Sequence, residues 1–162
     1  MKLRPAITQD QPRLLELNAA SVQQLSPLDT ERLRYILALA HSCLVLEDDD
    51  DGVVGFAIAV APGADYYSSN YRWFAERYAR FLYLDRITVD AAWRRRGVGA
   101  RLYDAMEQAA ARFERMVCDV NIEPRNDASL AFHAARGYRE VGQLKHGSAK
   151  TVALMSKDVA GS

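Results

Sequence analysis

The chain has 162 residues, the length of one domain with room for one sizeable core. Lys plus Arg and Asp plus Glu each number 21, so the formal net charge is zero. That balance argues against a general nucleic-acid or membrane-surface binder, which would carry a basic excess.

Met1 to Ile7 reads as a first strand, with no apolar leader-like stretch. No run in the chain is long enough to cross a bilayer. The expectation is therefore a single cytoplasmic domain over residues 1–162, with no membrane or nucleic-acid partner. Thr8 can cap a helix over Asp10 to Ala20, and Asp29 or Thr30 starts a second one toward Ala40, where Leu33, Ile36, Leu37 and Ala40 have helical spacing. Ser42 to Glu47 and Val53 to Ala61 read as strands joined by Asp48-Asp49-Asp50-Asp51-Gly52. This acidic run fits a solvated hairpin turn and lacks the spacing of a calcium loop.

Pro62 to Asn70 reads as a loop and Tyr71 to Arg80 as a short helix or turn. Phe81 to Val89 is the next strand. Val98 to Arg112 is a helix with Val98, Leu102, Ala105, Met106, Ala109 and Phe113 on one stripe. Met116 to Ile122 is a strand, Asp127 to Arg136 a helix closed by Gly137, and Tyr138 to Leu144 with Lys150 to Met155 a final pair of strands. The order is mixed α/β with one parallel crossover, around the helix from Val98. Cys43 and Cys118 lie in apolar runs without a Cys-x-x-Cys pair, as buried free thiols do, and no metal framework is expected.

Two stretches carry chemistry. Arg94-Arg95-Arg96-Gly97-Val98-Gly99 joins a strand to a helix N-terminus. The first helical turn offers unpaired N–H groups and the positive end of the dipole, so phosphates sit there. Glycine lets them approach the backbone, and arginine adds permanent charge. The loop lacks the Gly-Lys-Ser/Thr of a P-loop and the third glycine of a dinucleotide fingerprint. On these residues alone, a basic surface turn capping a helix is the other reading. In the second stretch, Asn126, Ser129 and His133 share one side of a helix at i, i+3 and i+7. A plain N-cap with solvated neighbours would also account for them.

Taken together, the pattern Arg-x-x-Gly-x-Gly and the segment Asn126 to Tyr138, about thirty residues later, resemble the GNAT N-acetyltransferase superfamily. The second segment is similar to Asn-x-x-Ala/Ser-x-x-Phe-Tyr-x-x-x-Gly-Phe, and Tyr83 to Asp90 resembles the strand before the loop. The resemblance covers nearly the whole chain. It implies a mixed, mostly antiparallel sheet of six to seven strands, splayed at its centre by a bulge and flanked by about four helices. It also implies an acetyl-CoA-dependent acyltransferase that acetylates a primary amine of a small molecule or peptide, without a covalent enzyme intermediate. Backbone groups of Ile87, Thr88 and Val89 would bond the pantetheine arm. Arg94, Arg95, Arg96, Gly97, Val98 and Gly99 would hold the pyrophosphate, with Asn126 and Ser129 on the cofactor's other side.

The chain departs from the family where His133 replaces the usual Tyr, which is held to protonate the leaving thiolate. A histidine can donate that proton or merely bond the sulfur. Asp85 lies at a strand position that carries an acid-base residue in several relatives. It is either the base or a structural partner of Arg86 or a tyrosine. Even spacing puts it on the face of Ile87 and Val89 unless the bulge shifts the phase. Asp119 and Glu123 are reserves, and Asn121 stands where some relatives have a catalytic Glu. Tyr66, Tyr67, Arg72 and Trp73 fall in an aromatic stretch that forms the acceptor pocket, part of the core or a homodimer interface. His146 is a weaker acceptor-side candidate. The reading from another class is an acyl-CoA-binding sensor without turnover.

Overall fold

The structure, a computed structural model, describes residues 1–21 and 27–159. In chain order the elements are β1 (Lys2–Pro5), α1 (Gln11–Ala20), α2 (Thr30–Leu39), β2 (Ser42–Asp48), β3 (Gly52–Val60), α3 (Ser69–Arg77), β4 (Leu82–Val89), α4 (Val98–Ala110), β5 (Arg115–Glu123), α5 (Asp127–Ala135), β6 (Arg139–His146) and β7 (Lys150–Asp158). None of the described helices is long and apolar enough to cross a membrane.

Local side chains start the helices. Asp29 accepts the Arg32 N–H at 2.8 Å, Ser68 accepts the Tyr71 N–H at 3.2 Å, and Asn126 accepts the Ser129 N–H at 3.2 Å. Each satisfies an amide that the first turn leaves without a partner. The Ser68 cap starts α3 at Ser69, just ahead of the short helix or turn read from sequence at Tyr71, and the described α-helices number five.

The seven strands form one sheet in the order β1-β2-β3-β4-β5-β7-β6. Every neighbouring pair is antiparallel except β4 and β5. One face packs on α4 and α5 through Leu84, Val98, Leu102, Met106 and Val120. The other packs on α1, α2 and α3 through Leu14, Leu33, Ile36, Phe56, Phe74 and Val117.

At the centre the parallel pair is brief. Leu82 pairs with Met116 and Tyr83 with Val117, and there the ladder ends, although β4 keeps β3 to Val89 and β5 keeps β7 to Glu123. A bulge sits at the parting point: Ile58 faces Arg86 and Ala59 faces Leu84, so Asp85 is the extra residue. The insertion changes the alternation. Leu82 and Leu84 belong to the α4 core, and beyond the bulge Ile87 and Val89 do too. Asp85 thus bonds Tyr66, a residue of the opposite core, and the simple even-spacing expectation is corrected.

Gly55 on β3 lets α4 rest close to the sheet. A Cβ there would lie 2.8 Å from Val98 Cγ1 and 3.1 Å from the Thr88 carbonyl oxygen. Because one neighbour is backbone, Gly55→Ala should destabilise the fold by about 1–3 kcal/mol. Urea unfolding checks this, and a wild-type midpoint would mean that α4 does not depend on that gap.

Candidate active site

Where β4 and β5 part, a cleft of about 440 Å³ opens. Its strand walls include Ile87, Thr88 and Val89 on one side and Asp119 to Asn121 on the other. Gly99 and Tyr103 reach it from α4, and Asn126, Ser129 and His133 from α5. The facing edges of the two strands have lost each other as partners. Their backbone N–H and C=O groups are thus available to an extended polar ligand.

The loop before α4 is anchored beside this cleft. Asp90 accepts the Ala92 N–H at 2.8 Å and an Arg13 N–H at 2.5 Å. The Trp93 indole donates to Asp51 at 2.8 Å, and the Arg96 guanidinium stacks on that indole at 3.8 Å. The acidic hairpin turn therefore anchors the arginine loop. Arg95 (φ 61°) and Gly97 (φ 82°) both take the left-handed conformation, which glycine tolerates and arginine adopts at a cost. The helix's first turn closes with Arg101 N–H bonded to the Gly97 carbonyl at 3.1 Å, so the amides ahead of it lack intrahelical acceptors. Of the sequence-selected loop residues, Arg94 and Gly99 line the cleft. Arg95, Arg96 and Gly97 are exposed beside it, and Val98 is buried in the core.

His133 is only 4% exposed and both its ring nitrogens are engaged. Nδ1 lies 2.7 Å from the Ser129 carbonyl oxygen and Nε2 lies 2.5 Å from the Tyr103 hydroxyl. A carbonyl can only accept, which assigns the proton to Nδ1 and leaves Nε2 to accept from Tyr103. Burial holds the imidazole below its usual pKa, partly offset by the Ser129 carbonyl. A neutral ring bonded this way has no free proton for a leaving group. The Tyr103 hydroxyl, itself pushed well above 10 by burial, shares this end of the cleft. Tyr103 carries no mark in the sequence, because it lies beside, not on, the apolar stripe of α4.

Asp85 is equally committed. Its side chain is 5% exposed, with Oδ1 accepting from Tyr66 at 2.5 Å and Oδ2 accepting from Arg86 at 2.9 Å. Arg86 continues the chain to Asn18 Oδ1 at 2.8 Å. Asp119 differs. It accepts from the Tyr83 hydroxyl at 2.6 Å, and Asn70 also bonds it. Burial and the nearby Asp85 push its carboxyl up to about 6, against the lowering effects of Tyr83, Lys150 and Asn70. Cys118 is buried with its thiol pushed well above the usual range, which leaves it inert as a nucleophile.

A second cleft of about 350 Å³ meets the first at Asp85, Arg86 and Asp119. Tyr66, Tyr67, Ser68, Asn70 and His146 line it, joined by Arg32 and Lys150, which sequence reasoning did not single out. Two selected residues stand outside. Arg72 donates to the Tyr66 carbonyl at 3.1 Å, and Trp73 packs over Gly142 beneath the Arg77 guanidinium, 3.8 Å from its ring centre. They brace the aromatic loop without reaching the cleft.

The sequence matches the family described as Acetyltransferase (GNAT) family over residues 11–138. Among curated proteins no sequence matches the chain. Similar solved structures include Ard1 from Thermoplasma volcanium (TM-score 0.76, 18% identity, 98% of this chain and 97% of that one). The ribosomal-protein-S18-alanine N-acetyltransferase from Escherichia coli is also similar (TM-score 0.73, 14% identity, 99% and 95% covered). So is a phosphinothricin acetyltransferase from Sinorhizobium meliloti in complex with AcCoA (TM-score 0.69, 22% identity, 98% and 88% covered). At these identities the structural likeness speaks for the fold. The family match spans most of the chain, and with the parted strands and the amide-bearing loop it places this protein in the GNAT acetyltransferase family.

Proposed function

We propose that the protein transfers an acetyl group from acetyl-CoA to a primary amine by direct attack. The observation that carries this reading is the junction of two clefts at Asp119: one with open strand edges and a helix N-terminus, the other lined by aromatic and polar side chains. The donor set fits the nucleotide thioester. First-turn amides and Arg94 suit a pyrophosphate, and the open edges of β4 and β5 suit an amide-containing arm. When bound, acetyl-CoA supplies an activated acyl group.

The remaining work falls to this chain. An alkyl ammonium with a pKa near 10 must lose a proton before it can attack. Asp119, ionised above about pH 6 and facing both clefts, is the base we assign. Asp85, with both oxygens bonded, holds Tyr66 and Arg86 in place instead. Free N–H groups on the open edge of β4 stabilise the negative charge that develops on the acyl oxygen. As the C–N bond forms and the C–S bond breaks, the departing sulfur takes a proton from the Tyr103 hydroxyl, whose O–H turns off His133 Nε2 to reach it, and the extra proton shed by the acylated nitrogen restores the hydroxyl. His133 orients that hydroxyl.

Thiol release from acetyl-CoA over a panel of primary amines tests the reading. Binding of acetyl-CoA without release from any amine would mark an acyl-CoA-binding domain instead. We expect kcat/KM to rise with pH to a plateau above about pH 6. Asp119→Asn should remove that limb and lower kcat/KM by about 100-fold or more. The linkage runs the other way for stability. A carboxyl raised from 3.8 to about 6 binds its proton more tightly when folded, so its contribution is present below 3.8 and lost as pH rises through 6. Asp119→Asn should therefore raise Tm relative to wild type more at pH 8 than at pH 4.5. A parallel pH–rate profile in the variant would return the base to another residue.

Tyr103→Phe should lower kcat roughly tenfold or more with little change in acetyl-CoA affinity. Wild-type kcat would place the proton donor elsewhere. Gly97→Asp sets a carboxylate at the phosphate end and forces a side chain into the left-handed conformation, so acetyl-CoA affinity should fall at least tenfold by calorimetry. Unchanged affinity in the folded variant would remove the loop from the cofactor site.

A further inference from the structure

Arg32 and Lys150 enter the second cleft from different elements, α2 and the start of β7. Their charges set them apart. Arg86, in the same cleft, is paired with Asp85. Arg32 and Lys150 have no ion-pair partner among the described residues. Arg32 lies 5.0 Å above the Tyr67 ring, and Tyr67 in turn stacks on Tyr35 at 5.2 Å, so the guanidinium rests on a fixed platform. Lys150 is close enough for its charge to act on both Asp119 and His146. His146 bonds Asn70 Oδ1 at 2.9 Å and is held below its usual pKa by burial, so it adds no lasting charge near pH 7.

With Asp85 and Arg86 cancelling, the cleft near neutral pH holds one carboxylate, Asp119, and two unpaired cations. That arrangement leaves an excess positive charge beside the group that takes a proton from the amine. A simple alkylamine or a polyamine would bring more positive charge to it. A zwitterion would complement both ends, with its hydrocarbon against Tyr66 and Tyr67.

We propose that the acceptor is a small amine bearing its own anionic group, with α-amino acids the simplest members. Its nitrogen lies at Asp119 and its anion at Arg32 and Lys150. This rests on the acetyl-transfer reading and narrows it. An internal or amidated peptide terminus lacks the anion beside the amine and is the disfavoured alternative.

The test uses matched trios: phenylalanine, methionine and glutamate, each with its α-amide and its decarboxylated amine. Thiol release should favour the free acids over the amides by at least tenfold in kcat/KM. Arg32→Met and Lys150→Met should each cut that ratio by about tenfold, mainly through KM for the acids. A second readout needs no turnover. N-acetyl-phenylalanine, a product analogue, should raise the wild-type Tm more than N-acetyl-phenylalaninamide does, and the two substitutions together should erase the difference.

Release from amides and decarboxylated amines at the rate of the acids would overturn the acceptor assignment and leave acetyl transfer standing. No release from any amine would count against acetyl transfer. The anion assignment would then stand on the product-analogue shift, or fall if acid and amide gave equal shifts.

Discussion

The parting of β4 from β5 is the constraint on which the site depends. Two parallel strands that stayed paired along their length would satisfy each other's backbone and leave no groove. Here the ladder stops after Tyr83 and Val117, and the bulge at Asp85 turns β4 while preserving its pairing with β3. The opened edges carry polar groups that need partners, in a wedge whose two faces are otherwise packed core. The extra residue also switches the alternation of β4. Apolar residues point at α4 on both sides of the bulge, while Asp85 and Arg86 are left to pair with each other.

That pairing allows charge to be buried here. A lone carboxylate or guanidinium with a side chain 4–5% exposed would be strongly unfavourable, but Asp85 and Arg86 neutralise one another and complete their hydrogen bonds with Tyr66 and Asn18. Asp119, which lines the same clefts, has hydroxyl and amide donors instead of a paired cation. Burial, with the nearby Asp85 charge, raises its carboxyl to about 6 against the lowering effect of those donors. Two acids near one another thus sit in different environments, one in an ion pair and one buried among neutral donors.

The loop before α4 follows a similar logic. Its glycine supplies the left-handed turn, yet the loop's position comes from contacts distant in sequence: Asp51 on Trp93, Arg13 on Asp90, and α4 settled against Gly55. Exposed arginines alone would form a floppy basic turn. Anchored this way, the start of α4 is held beside the cleft that Arg94 and Gly99 line.

Local rules were enough to place the elements. Helical spacing, caps such as Asp29 and Asn126, and the Asp-Gly turn each act within a few residues, so strands and helices were legible from the chain, as were the Gly97 loop and the Asn126–Ser129 stripe. The Ser68 cap was the exception, hidden in a loop-like stretch. Side-chain partnerships over long separations were not legible. His133 reads from sequence as a proton donor or as a partner of the sulfur, and Tyr103 on another helix occupies its second nitrogen. Asp85 reads from sequence as a base or as a partner of Arg86 or a tyrosine, and the fold gives it both Arg86 and Tyr66. Arg72 and Trp73 looked like pocket walls, whereas Arg32 and Lys150 carried no local mark. The sequence by itself determined the family motifs and the element order, because these depend on near neighbours. Only the tertiary structure decided which acid sits in an ion pair and which is buried without one, because burial and hydrogen-bond partners are assembled from residues far apart in the chain.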